Sequence, residues 1–96
     1  MAQPELRIPA EVAALIKGLH PDLKKIVRKA LEAILAEPAS GKALKDELSG
    51  LVSDRIKRFR IIYRRGPGQR IEIITIGPRR YIYEETFKIM SREKKR

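Results

Sequence analysis

The chain has 96 residues, 43% of them hydrophobic, with 22 Lys/Arg against 12 Asp/Glu and a formal net charge of +10. That length makes one small domain, residues 1–96, with a modest core and little room for a deep cleft. The charge calls for an acidic partner: nucleic acid, an anionic surface or an acidic protein. The absence of cysteine excludes disulfides and thiolate zinc sites, and a lone histidine argues against an imidazole metal site, so no metal or other cofactor is expected. No apolar run approaches the roughly 20 residues of a membrane span. Residues 1–10 lack the apolar core of a signal peptide, so a cytoplasmic protein without membrane contact is expected.

In chain order, Glu5-Leu-Arg-Ile8 reads as a short first strand ended by Pro9. Val12, Leu15, Ile16 and Leu19 recur at helical spacing over 10–19. His20-Pro21-Asp22 breaks that helix, with His20 as cap or surface residue, and Pro21 can open the next. The second helix, about 21–37, carries Leu23, Ile26, Val27, Ala30, Leu31, Ile34 and Leu35 as a wide apolar stripe. Lys24, Lys25, Arg28, Lys29 and Glu32 take its wet side, and the two helices form an αα-hairpin with one buried seam. Pro38 and Gly41 end the helical half. Residues 42–50 read as a polar connector anchored by Leu44 and Leu48.

Strands follow: a poorly patterned one at 52–57, then 59–65 and 70–76 joined by Gly66-Pro67-Gly68, a strong turn signal. That turn lacks the spacing of a phosphate loop. Tyr81–Tyr83 can form a last short strand. Residues 84–96 read as a helix with Glu84 and Glu85 at its positive end and Arg92, Lys94, Lys95 and Arg96 at its negative end. The fold class is α+β. The expected sheet is small and antiparallel, with a mixed edge, an αα-hairpin on one face and a C-terminal helix. Alternation puts Phe59, Ile61 and Tyr63 on one side and Arg60, Ile62 and Arg64 on the other. It sets Ile71, Ile73 and Thr75 against Glu72, Ile74 and Ile76, and strand 70–76 is central because both its faces are apolar.

Charge is divided unevenly. Residues 1–50 hold 8 Lys/Arg and 7 Asp/Glu, whereas residues 51–96 hold 14 and 5. A strand half with one apolar face and one guanidinium face can present fixed cations to polyphosphate. Arg55, Lys57, Arg58, Arg60, Arg79 and Arg80 form the candidate cluster, and Arg64 shares the face of Arg60. Tyr83 is placed to stack on a base or touch a phosphate. Glu84 and Glu85 fit helix-end charges better than an acid–base pair.

From residue 42 onward the chain resembles the RelE/ParE superfamily of bacterial and archaeal toxins. Lys42-Ala-Leu44, Leu48-Ser-Gly-Leu51, Arg55-Ile56, Phe59-Arg-Ile-Ile-Tyr63, the run Ile71–Gly77, Arg79-Arg80 and Tyr83 carry the resemblance. The helical hairpin and Glu37-Pro38 fit the family's order. The resemblance implies a small sheet with two N-terminal helices on one face, and a cognate antitoxin protein as partner. For RelE-like members it implies metal-independent cleavage of mRNA in the ribosomal A site, the RNA's own 2′-hydroxyl attacking the adjacent phosphate. Carried over by position, Arg60, Arg79 and Tyr83 are the catalytic set. Lys57 is the first candidate for proton acceptor and Tyr83 the second. Arg55, Arg58, Arg64 and Arg80 would bind RNA. The chain departs from the usual pattern at the turn, here Lys57-Arg58-Phe59-Arg60. It also departs at Lys42 and Ile82, where some relatives carry a glutamate and a histidine. ParE-branch members share the fold but inhibit DNA gyrase, and generally lack the Arg/Arg/Tyr set; a third reading is an RNA-binding module without activity.

Overall fold

The computed structural model describes residues 5–94. Strand β1 (Glu5–Arg7) leads to helices α1 (Ala10–Lys17) and α2 (Pro21–Ala36). Then come β2 (Lys42–Ala43), β3 (Val52–Ile56), β4 (Phe59–Arg65), β5 (Arg70–Pro78) and helix α3 (Ile82–Lys94). The five strands form one sheet in the order β1-β5-β4-β3-β2. Four strands pair antiparallel in succession, as tight connections require, while β1 joins β5 in parallel at the edge. The fold is α+β with a mixed edge. No described helix is long and apolar enough to cross a membrane.

Each sheet face has its own core. On one side α1 and α2 cover Ile56, Ile61, Tyr63, Ile71, Ile73 and Ile76, with Val12, Val27, Leu31 and Ile34 facing down from the helices. Val27, Ile61, Tyr63 and Ile73 are completely buried, and burial stabilises by about 1.5–3 kcal/mol for each large apolar side chain. On the other side α3 lays Ile82 against Leu51 and Ile62, with Leu44, Leu48, Ile74 and Met90 around them. Tyr63 reaches through its core and donates a 2.8 Å hydrogen bond to the Pro38 carbonyl. His20 caps α2, its Nδ1 accepting from the Asp22 amide at 3.2 Å.

Four local expectations are corrected. Residues 81–83 form no strand, because both sides of β5 are already paired. Tyr81 instead sits in a turn, its amide bonded to the Pro78 carbonyl, and α3 starts at Ile82. The 42–50 connector holds a two-residue edge strand, since Lys42 and Ala43 pair with Ser53 and Val52. Strict alternation fails in β5. Ile62 faces Thr75, but Tyr63 faces Ile73, so Ile74 is an extra residue and Ile76 rejoins Ile71 and Ile73 under α1 and α2. Such a bulge switches the face of every later residue. Leu15 was expected in the helical seam but is 53% exposed, because α1 leans on β5 through Val12 and Ile16. The expected helix-end charges Lys95 and Arg96 lie outside the described residues.

A candidate nucleic-acid site on the far side of the sheet

The β3–β4 connection is only two residues, Lys57 and Arg58, between the paired Ile56 and Phe59. Lys57 has φ +51°, the left-handed backbone that such a tight hairpin needs and that costs an L-residue roughly 1–2 kcal/mol. Past the end of β5, the Arg79 amide donates to the Arg58 carbonyl at 2.8 Å. The hairpin tip is thereby tied to the link between β5 and α3. Arg55, Lys57, Arg58, Pro78, Arg79 and Arg80 line the open depression between them. All five cations there are exposed.

Arg55 connects this rim to a second group. It lies directly opposite Arg60 in the ladder, a like-charge pairing that weakens a sheet. Arg60 is half-buried on the α3 side. Its Nη1 donates to the Ser53 hydroxyl at 3.3 Å, and its guanidinium carbon stands 5.9 Å from the centre of the Tyr83 ring, within cation–π range. Ser53 Oγ is 3.4 Å from the Tyr83 hydroxyl, so this fully buried serine joins arginine and tyrosine. Arg60 Nε is buried without a partner. The Asp54 carboxyl is pushed up by burial and held down by the Arg55 amide and by the nearby Arg60 guanidinium.

Arg64 is set apart. Its Nε donates to Glu72 on β5 at 2.9 Å and one terminal nitrogen donates to Glu93 at 3.0 Å, tying α3 to β4. The Glu72 hydrogen bond chiefly raises its pKa, and Arg64 in turn lowers that of Glu72. Glu84 pairs loosely with Lys88 one turn along α3. Among the described residues no group of three His, Cys, Asp or Glu side chains could hold a metal ion.

The structure therefore places Arg60 against Tyr83 and gathers Arg55, Lys57, Arg58, Arg79 and Arg80 at the adjoining rim. It leaves Arg64 to two carboxylates. Sequence reasoning missed Ser53; Asp54 lies beside Ile61 on the other face of the sheet. The signal for Ser53 was a small polar residue two positions before Arg55, on the same face of the strand.

The model of the ParE toxin of type II toxin–antitoxin systems (parDE) matches residues 10–83. A comparison with curated proteins gives no significant match. Among solved structures, the toxin–antitoxin complex RelBE2 from Mycobacterium tuberculosis contains a chain that is 24% identical with TM-score 0.72; the match covers 80% of this chain and 99% of that one. A mutant of the Escherichia coli toxin RelE in the free state is 14% identical with TM-score 0.75, covering 97% and 98%. The archaeal RelE–RelB complex from Pyrococcus horikoshii matches at 20% identity and TM-score 0.66, covering 80% and 96%. The family match spans the helical hairpin, the antiparallel strands and Tyr83, so this chain belongs to the ParE toxin family of type II toxin–antitoxin systems, within the RelE/ParE superfamily.

Proposed function

We propose that this toxin is a RelE-type, ribosome-dependent mRNA endonuclease. The observation that carries the reading is the Arg60–Ser53–Tyr83 group beside a rim of five exposed cations. In the proposed reaction the 2′-oxygen of the target nucleotide attacks the adjacent phosphorus. A new O2′–P bond forms, the P–O5′ bond breaks, and the 5′-oxygen leaves. Arg60 and Arg79 stabilise the charge that develops on the phosphate and leaving oxygen. Arginine stays protonated, so this role does not depend on pH. Tyr83 orients or stacks the target nucleotide. Lys57 in its neutral form takes the 2′-hydroxyl proton, with the Tyr83 phenolate the alternative acceptor, and a water molecule gives the departing 5′-oxygen its proton. Arg55, Arg58 and Arg80 hold flanking phosphates. The reading uses cations and a phenol where other ribonucleases use imidazoles, which suits a strand half without histidine. It also assigns a cognate antitoxin, an amphipathic or acidic segment that covers the basic face or displaces α3, meeting Ile89 and Met90.

The test is toeprinting of ribosome-bound message with purified protein, run beside a gyrase supercoiling assay. Cleavage within the A-site codon that persists in EDTA, with ribosome integrity controlled, supports the reading. Arg60→Ala, Arg79→Ala or Tyr83→Ala should each slow single-turnover cleavage by on the order of 10²-fold. A second reading, gyrase inhibition, is favoured by the ParE description of the matching family model. An intact message together with blocked supercoiling would put that reading in its place.

A further inference from the structure

Leu15 and Tyr81 are large apolar side chains that folding leaves outside, at 53% and 57% exposure. Both line the same groove. With Glu11, Ile82, Glu85 and Ile89 they enclose about 320 Å³ between α1 and α3, over residues 75–78 of β5. That stretch of β5 is a free edge, because β1 pairs only with Arg70, Ile71 and Glu72. Its outer backbone groups have no strand partner among the described residues.

Two features define what the groove can take. One is an exposed ring. The Tyr81 amide is bonded to the Pro78 carbonyl, and the Tyr81 carbonyl accepts from the Glu85 amide at 3.0 Å. Ring and carboxylate therefore stand one helical turn apart at the start of α3. The other feature is charge. Glu11 and Glu85 put a carboxylate on each wall of the groove, and no described ion pair involves either. Arg92 is the single cation among the lining residues. An acidic peptide, one of the partners that the net charge of +10 calls for, would set its carboxylates against these two. A nucleotide keeps its charge on the phosphate and offers a flat base with polar groups on its edge. The groove meets the cationic depression at Pro78, which lines both. A phosphate on Arg79 or Arg80 thus lies next to an apolar cleft with an aromatic wall.

We propose that the α1–α3 groove is a nucleobase subsite, which takes one base of the strand whose phosphate lies on Arg79 and Arg80. The base stacks on Tyr81, since every base has a face for an aromatic ring. Glu85 accepts from its exocyclic amino group, the contact a carboxylate makes to cytosine. Uracil, with a carbonyl in place of that amine, is selected against. This rests on the RNA-directed reading and adds a base preference to it. The experiment measures binding of the full chain to single-stranded hexamers of cytidine and of uridine, 2′-O-methylated so that no 2′-hydroxyl can attack. The parent should favour cytidine by about 5-fold. Tyr81→Ala should weaken binding of both by about 5-fold or more, and Tyr81→Phe should restore it. Phe87→Ala removes a similarly exposed aromatic outside the groove and should change neither. Glu85→Gln should abolish the preference for cytidine and leave uridine affinity no weaker. Thermal melting confirms that each variant folds. Equal losses from Tyr81→Ala and Phe87→Ala would overturn the proposal, as would a parent without the preference or a Glu85→Gln variant that keeps it. So would losses confined to an acidic amphipathic peptide measured alongside, which would make the groove a protein site. Hexamer binding is read without cleavage, so a protein with this binding pattern that leaves ribosome-bound message intact would sink the nuclease reading alone.

Discussion

Lys57 holds two properties that a substitution can separate. Its left-handed backbone is strained for any residue with a Cβ, and its amine sits at the rim of the basic depression. Lys57→Gly should relieve strain and raise stability by up to about 1 kcal/mol in chemical denaturation. Cleavage should fall, and a variant that keeps full cleavage would remove Lys57 from the proton-acceptor role. Gly41 presents the opposite case. Its φ is ordinary, but a Cβ there would stand 2.6 Å from Val52 Cγ1 and 2.9 Å from the Tyr63 hydroxyl. Gly41→Ala should therefore cost about 1–3 kcal/mol through overpacking. Loss of the Tyr63–Pro38 hydrogen bond should appear as faster exchange around 38–43. Ser53 shows why some site residues escape a sequence reading. A serine in a poorly patterned strand is unremarkable until β4 sets Arg60 beside it and α3 brings Tyr83 over it.

At the scale of elements, α3 packs on the sheet through a smaller core than the one under α1 and α2. Its core is small, centred on Ile82, Leu51 and Ile62, and the Arg64 clamp to Glu72 and Glu93 supplies the polar attachment. Glu72 has a lowered folded-state pKa. The stability it contributes is present above its ordinary value of 4.5 and is lost as pH falls through the lower folded value. Acidifying below that point should weaken the Arg64–Glu72 pair across β4 and β5 and lower stability in chemical denaturation. Arg64→Ala also removes the Glu93 contact and should increase hydrogen exchange across α3 before the sheet responds, for about 1 kcal/mol or less, since the clamp is partly solvated. Uniform exchange across helix and sheet in that variant would show that α3 is not a separable unit. A detachable α3 also suits the proposed antitoxin contact, because Met90 and Ile82 would expose an apolar strip over the site.

For the whole molecule, charge governs association. If Arg55, Lys57, Arg58, Arg60, Arg79 and Arg80 each neutralise one phosphate, ribosome affinity should fall by ~10³-fold between roughly 50 and 200 mM salt. A nearly flat salt response in a sedimentation assay would show that the basic rim is not the contact surface.

Much of the chain's architecture was legible in its order of residues. The heptad-like apolar spacing of α2, the Pro and Gly breaks, and the β-branched runs around Gly66-Pro67-Gly68 report local preferences that need no partner to express. The concentration of arginine after residue 50 likewise pointed to phosphate, and the order of short motifs pointed to the toxin superfamily. The tertiary structure decided what depends on neighbours. Pairing of β5 on both sides turned 81–83 from strand into helix start, and the bulge at Ile74 returned Ile76 to the α1–α2 core. The packing of α3 selected Arg60 to meet Tyr83 and tied Arg64 to carboxylates, although both arginines share one face of one strand. Periodicity names the face of a strand; only the element that covers that face determines which of its cations remain free to meet a phosphate.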